Sequence, residues 1–215
     1  MALLYLVRHC ETTFNAEGRI QGHLDAPLTR LGVRQAKMIA RRLSGETFAA
    51  VYSSDLARAR TTAEIIAAPH ELPVWTTPLL REANLGVVQG LTREEVAERF
   101  PEALHIWRRE PASRRPPGAE SLEEVVARCA EFLEIIAREH GSDENILIAG
   151  HGGSLRGLVI ALLGLPVSAY RLLHFYNASL SILETGSNPG IRLLNDTCHL
   201  GSISGEEDGA EDKMS

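Results

Sequence analysis

Cysteine is scarce: Cys10, Cys129 and Cys198 are the only three in 215 residues, far apart and in no CxxC or Cys/His spacing. Neither a disulfide framework nor a zinc site is indicated, and a reducing compartment fits. Positive charge is also short. The chain holds 22 basic against 28 acidic residues, a formal net charge of -6, and the acidic stretch GSISGEEDGAEDKMS from Gly201 accounts for most of that excess. The body to Leu200 is near neutral, so it lacks the electrostatic footprint of a duplex nucleic-acid binder, and any phosphate recognition must be local. Long apolar runs are missing too. MALLYLV is too short for a signal peptide, lacks a basic n-region and breaks at Arg8, while GLVIALLGLPV is too short to span a bilayer. These absences lead us to expect a soluble cytoplasmic protein with no membrane or nucleic-acid partner. Two catalytic signatures are absent as well: no GxxxxGK(S/T) points to a P-loop, and no GxSxG elbow accompanies the HGGS around His151.

What is present reads as one domain over residues 1–200, with 44% hydrophobic composition, followed by a tail at 201–215 expected to be disordered. No repeat of 20 to 50 residues is visible. The short apolar runs ALLYLV, AAVYSS, NILIAG and SLSILE alternate with stretches of helical periodicity, which argues for an α/β sandwich. Gly32, Ala36, Ile39, Ala40 and Leu43 form one helical stripe after Thr29, a suitable N-cap. SLEE at Ser121 reads as a capping box with Glu124, opening a helix with an apolar face of Leu122, Val125, Val126, Cys129, Leu133 and Ile136. Cys129 is therefore expected in the core. A further helix is expected from Ser154 to Gly164. The sequons at Asn177 and Asn195 are read as fortuitous.

In open α/β sheets ligands bind beyond the carboxyl ends of the strands, so polar residues in strand-to-helix turns are candidates for one shared site. LVRHCET ends an apolar run in Arg8 and His9, VYSSDLARARTTAE puts Arg58 at a helix start, and ILIAGHGGSLRGL sets His151 between glycines. LREANLGVVQG offers Glu82. His23, His70, His105, His140, His174 and His199 show no ligand spacing and are given no site role.

With RHCETTFNAEGRIQGHLDAPLTRLGVRQA, YSSDLARARTTAE, LREANLGVVQG, PPGAESLEE and AGHGGSLRGL in this order, the chain resembles the histidine phosphatase superfamily, the phosphoglycerate mutase-like fold. The resemblance covers nearly the whole body. It implies a three-layer α/β sandwich with a mixed, mostly parallel central sheet flanked by helices. It makes His9 the nucleophile, Arg8, Arg58 and His151 the phosphate clamp, Asn15 an added donor, Glu82 the proton donor, and Gln21 and the backbone near Gly152 further phosphate contacts. The departure is Cys10, where the family usually has glycine: it adds a side chain beside the nucleophile, and nearby cations are expected to perturb its thiol.

The chemistry accounts for these residue types. Arginine's planar fork pairs with phosphate oxygens and stays charged, so two arginines and a protonated histidine balance a dianion, and neither a metal nor another cofactor is required of the residues. A neutral imidazole can attack phosphorus in line if its other nitrogen is tied to a backbone carbonyl near the turn, one that the sequence does not identify. Within the family resemblance, GRIQG with Gln21 looks like the phosphatase branch and the insert between Glu82 and His151 is short beside mutases, which implies a phosphatase acting on small phosphate monoesters. Arg108, Arg109, Arg114 and Arg115 near Trp107 keep a 2,3-bisphosphoglycerate-dependent mutase as the alternative, and Cys10 alone motivates a non-catalytic phosphate-binding module. Oligomeric state and leaving-group preference are left open.

Overall fold

A computed structural model of the protein describes residues 2–102 and 115–201. Trp107, Arg108, Arg109, Arg114 and the acidic tail beyond Gly201 lie outside the described residues. Six strands, β1 (Leu3–Arg8), β2 (Ala50–Ser54), β3 (Val74–Thr77), β4 (Ile146–Gly150), β5 (Leu180–Glu184) and β6 (Gly190–Asp196), form one sheet in the order β3-β2-β4-β1-β5-β6. The β1–β4, β2–β4 and β2–β3 pairs are parallel, and β5 runs antiparallel to both its neighbours. The sheet is thus mixed and mostly parallel.

Period-two alternation divides the core into two layers. Leu4, Leu6, Ile146 and Ile148 face one cluster with α5 (Leu122–Glu139) and α6 (Gly152–Leu163). Tyr5, Val7, Leu147 and Ala149 face the other, with α2 (Arg30–Leu43) and α3 (Ala57–Ala67). Two smaller helices, α1 (Thr13–Ala16) and α4 (Arg93–Arg99), sit in the connections. Because β1 leads to α2 on one face and its neighbour β4 leads to α6 on the other, the chain parts above Arg8 and Gly150, residues in register across the two strands. A crevice at such a switch point is where a parallel sheet holds ligands.

The caps act where the sequence indicates. Thr29 Oγ1 accepts from Gly32 N at 2.9 Å, and Ser121 and Glu124 exchange bonds of 3.1 and 2.7 Å. The buried stripe of α2 comprises Gly32, Ala36, Ile39, Ala40 and Leu43. On α5 the deep face includes Phe132, while Val126 and Leu133 pack only partly buried against the core. Helix α6 starts two residues before Ser154, since His151 is already its N-cap, and it stops at Gly164, whose φ of 62° suits a residue without a Cβ. Two strands escape the sequence pattern. Both β3 and β6 are edge strands with half-exposed residues, and β6 pairs with β5 through register shifts, which breaks its alternation.

Candidate active site

Arg8 ends β1 and His9 follows it into the crevice. The His9 ring is buried, 2% exposed, and its Nδ1 lies 2.8 Å from the Cys10 carbonyl oxygen. A carbonyl only accepts, so this contact puts the proton on Nδ1 and leaves Nε2 with its lone pair. Burial, and then the charges of Arg8 and Arg58, hold the His9 pKa well below the usual imidazole value. Both effects disfavour the charged form of the ring. The main chain is held from behind: Arg8 Nη1 donates to Phe175 O at 2.6 Å, Asn177 Nδ2 donates to His9 O at 3.0 Å, and the Ala178 N–H is shared between the Arg8 and His9 carbonyls.

Arg58 opens α3 with its side chain buried. Nη2 donates to Gly22 O at 2.7 Å, and Nη1 to Leu24 O at 2.9 Å and Asp25 Oδ1 at 3.2 Å. The N-cap of α3, Leu56, has no capping side chain, and the Asp25 carboxylate takes that place by accepting from the Ala57 and Arg58 N–H groups. One aspartate thus caps the helix and fixes the arginine on it. Burial lowers the Arg58 pKa from its ordinary value, against the opposing pull of Glu82 and Asp25. His151, fully buried, stands across from His9 with ring centroids 5.1 Å apart. Burial, followed by Arg58, His9 and Arg8, holds its pKa well below the usual range.

Glu82 reaches the same point from the loop after β3. Its Oε1 accepts from Ala83 N and Gly153 N, each at 2.8 Å, which leaves Oε2 for other partners. A Cβ built on Gly153 would stand 1.9 Å from that Oε1, so any side chain there would displace the Glu82 carboxylate. A Cβ on Gly152 would be 3.8 Å from Glu82 Oε2 and 3.9 Å from Arg8 Nε, which locates Gly152 between the carboxylate and the guanidinium. Gly152 is the first residue of α6, so its N–H has no acceptor within the helix. Asn15 is close by, but its Oδ1 is occupied by the Thr12 N–H and hydroxyl and by Asn177 Nδ2, so only its Nδ2 offers a donor to a ligand. Gln21 is buried, with Oε1 unpartnered.

The defining property of this cluster is incompleteness. Arg8 Nε, Arg58 Nε and both ring nitrogens of His151 are buried with no hydrogen-bond partner. Each such group costs about 1–3 kcal/mol while it stays unpaired. An anion rich in acceptor atoms would pair with both guanidinium groups and with an N–H of His151 together.

Cys10 corrects one expectation. Its side chain is buried in the core layer with Val7, Ala36 and Ile39, turned away from the crevice, while its N–H donates to Thr62 Oγ1 at 3.2 Å. Burial pushes the thiol up to about 12, against the opposing Thr62 hydrogen bond, where attraction by the cations was expected to perturb it. The departure from glycine therefore places no side chain in the crevice. Four supporting residues were not singled out from the sequence. They are Asp25 and Asn177, as above, together with His23 and Arg128, which contact the Glu82 backbone. Asn177 carried only a sequon signal, and His23 no signal at all. Among the described residues no group of three or more His, Cys, Asp or Glu is arranged to hold a metal ion, and no helix is long and apolar enough to cross a membrane.

Beyond the carboxyl ends of β1 and β4 the α/β fold thus gathers two arginines, two histidines and a glutamate in one crevice. The chain belongs to the histidine phosphatase superfamily (branch 1), which it matches over residues 4–197. Phosphoserine phosphatase 1 of Hydrogenobacter thermophilus is 37% identical over 204 residues, covering 94% of this chain and 96% of that protein. "Probable phosphoglycerate mutase GpmB" of Yersinia pestis is 37% identical over 210 residues, covering 93% and 95%. Among solved structures, mycobacterial glucosyl-3-phosphoglycerate phosphatase in complex with VO3 has a TM-score of 0.85 at 33% identity, covering 92% of this chain and 100% of that one. The α-ribazole phosphatase of Shigella flexneri has a TM-score of 0.83 at 28% identity, covering 90% and 96%.

Proposed function

We propose that the protein is a phosphoric monoester hydrolase that acts on small phosphate monoesters through a phosphohistidine at His9. The supporting observation is the set of buried, unpartnered nitrogens of Arg8, Arg58 and His151 around an imidazole whose Nε2 is free. A bound dianion would pair with the two guanidinium groups and raise the His151 pKa towards the protonated form, which supplies a further donor. The Asn15 amide and the Gly152 N–H add neutral donors, and Gln21 is a further phosphate contact in this reading.

In the first step the His9 Nε2 lone pair attacks phosphorus, the ester P–O bond breaks, and the leaving alkoxide takes a proton from Glu82 Oε2. In the second step water gives its proton back to Glu82 and attacks phosphorus as the P–N bond breaks, releasing inorganic phosphate and restoring His9. Phosphatase-named relatives and neighbours support hydrolysis, and their named substrates are phosphate monoesters. The equal identity of the relative named as a mutase keeps a second reading, in which an acceptor hydroxyl replaces water.

Incubation with a panel of phosphate monoesters, with free phosphate measured and efficiencies ranked, tests the reaction. Brief exposure to substrate should leave acid-labile, base-stable phosphate on His9, and its absence removes the covalent step. Conversion of 3-phosphoglycerate with a 2,3-bisphosphoglycerate primer, faster than any release of phosphate, would favour the mutase.

A further inference from the structure

The peptide unit joining Glu82 to Ala83 is held on both edges. On one edge the Ala83 N–H donates to the Glu82 side chain at Oε1, 2.8 Å. On the other the Glu82 carbonyl accepts from two side chains that arrive on different elements: His23 Nε2 at 2.8 Å, from the loop after α1, and Arg128 Nη2 at 3.2 Å, from α5. Since the peptide is planar and its C=O and N–H point in opposite directions, fixing the carbonyl fixes the direction of the N–H. Arg128 is anchored in turn. Its Nη1 donates to Leu79 O at 2.7 Å and its Nε to Glu120 Oε1 at 3.0 Å, while Glu120 Oε2 accepts from Asn84 N at 2.6 Å. The loop through Glu82 is therefore clamped at residues 79, 82 and 84.

We infer that Arg128 and His23 are positioning residues for the proton donor: by gripping the Glu82 carbonyl they turn the Ala83 N–H onto Oε1 and leave Oε2 aimed at the leaving-group oxygen. The inference rests on the proposed role of Glu82. The two donors are charged or polarisable, so they also strengthen the N–H that faces the carboxylate, through the shared amide. The same His23 sits between Gly22 and Leu24, whose carbonyls hold Arg58. One short loop thus sets both a clamp arginine and the proton donor.

The test compares kcat/KM for phenyl phosphate, whose leaving group needs a proton, with that for 2,4-dinitrophenyl phosphate, whose leaving group does not. Glu82→Gln serves as the reference and should lose activity on the first ester far more than on the second, by part of the ~10²–10⁴-fold that general acid catalysis supplies. His23→Ala and Arg128→Lys should show the same selectivity at about tenfold, with His23→Gln, which keeps a donor at that position, recovering most of it. Were Glu82→Gln itself unselective, the role of Glu82 would fall and this inference with it. If Glu82→Gln is selective while His23→Ala and Arg128→Lys affect both esters equally or neither, the positioning role alone is overturned. His23 lies on a partly exposed loop, so its variants keep the test decisive even where Arg128→Lys is poorly folded.

Discussion

At the amino ends of β1 and β4 lies a half-open hollow of about 570 Å³, lined by Ala2, Leu4, Leu133, Ile146, Glu134 and His140 among others. At the carboxyl ends of the same strands lies the crevice of Arg8, His9 and His151. The first hollow is chemically finished. Its walls are largely apolar, and His140 has partners for both ring nitrogens, Tyr52 Oη at 2.9 Å and Glu144 Oε2 at 3.2 Å. The second holds buried nitrogens that nothing in the described residues pairs. Empty space beside apolar side chains asks little of a ligand, whereas each unpaired buried donor holds free energy that a suitable ligand releases. Unsatisfied polar groups, more than volume, distinguish the crevice from this hollow.

The contrast can be broken most sharply at His9. His9→Ala should lower phosphate release by on the order of 10⁴-fold or more, since His9 Nε2 is the proposed attacking atom of the covalent step. Retained turnover would dissolve the distinction between the two ends.

Asp25 comes next. Asp25→Ala removes the counter-charge of buried Arg58 together with the α3 cap, and should cost about 3 kcal/mol in urea unfolding with a raised KM. Asp25→Asn keeps a capping acceptor without the charge, so a smaller stability loss with a similar KM would divide the two roles.

A smaller effect is expected from pH. His9 and His151 have pKa values held well below the ordinary 6.5 in the folded chain, so in the window below 6.5 the unfolded chain binds more protons. Their contribution is complete above pH 6.5 and is lost as pH falls, by up to about 1.4 kcal/mol per histidine per pH unit. His151→Gln should flatten that slope, and saturating inorganic phosphate should flatten it in the native protein by favouring protonated His151. A slope indifferent to both would mean that the carboxyl-end histidines are not the groups that titrate. Smallest of all, Leu133→Met in the opposite cavity should change stability by less than about 1.5 kcal/mol and leave kcat/KM unchanged.

Legibility from sequence divides along similar lines. The stripe of α2 and the capping boxes are local patterns, readable because a helix repeats every 3.6 residues and a cap lies within one turn. Arg8, His9, Arg58, Glu82 and His151 were nominated by their place in strand-to-helix turns and by family resemblance, and the structure brings them to one crevice. Asp25 escaped notice because the helix it caps begins more than thirty residues later in the chain. Asn177 escaped because its task is to hold a main-chain carbonyl, and any polar loop residue could have filled that place. The concern over Cys10 arose because adjacency in sequence says nothing about which way a side chain turns. The Cys10 thiol enters the core while its carbonyl faces His9.

What the linear order of residues determined by itself was the type of each element, the positions of its ends and the kinds of group available for chemistry, since all three depend on interactions within a few residues. Tertiary structure alone decided that the Cys10 carbonyl selects the tautomer of His9, that the Gly22 and Leu24 carbonyls seat Arg58, and that Arg8 Nε, Arg58 Nε and the His151 ring nitrogens stay unpaired among the described residues. Every residue carries the same backbone carbonyl, so which one accepts a given bond is written in no side chain and is settled only when distant segments pack together.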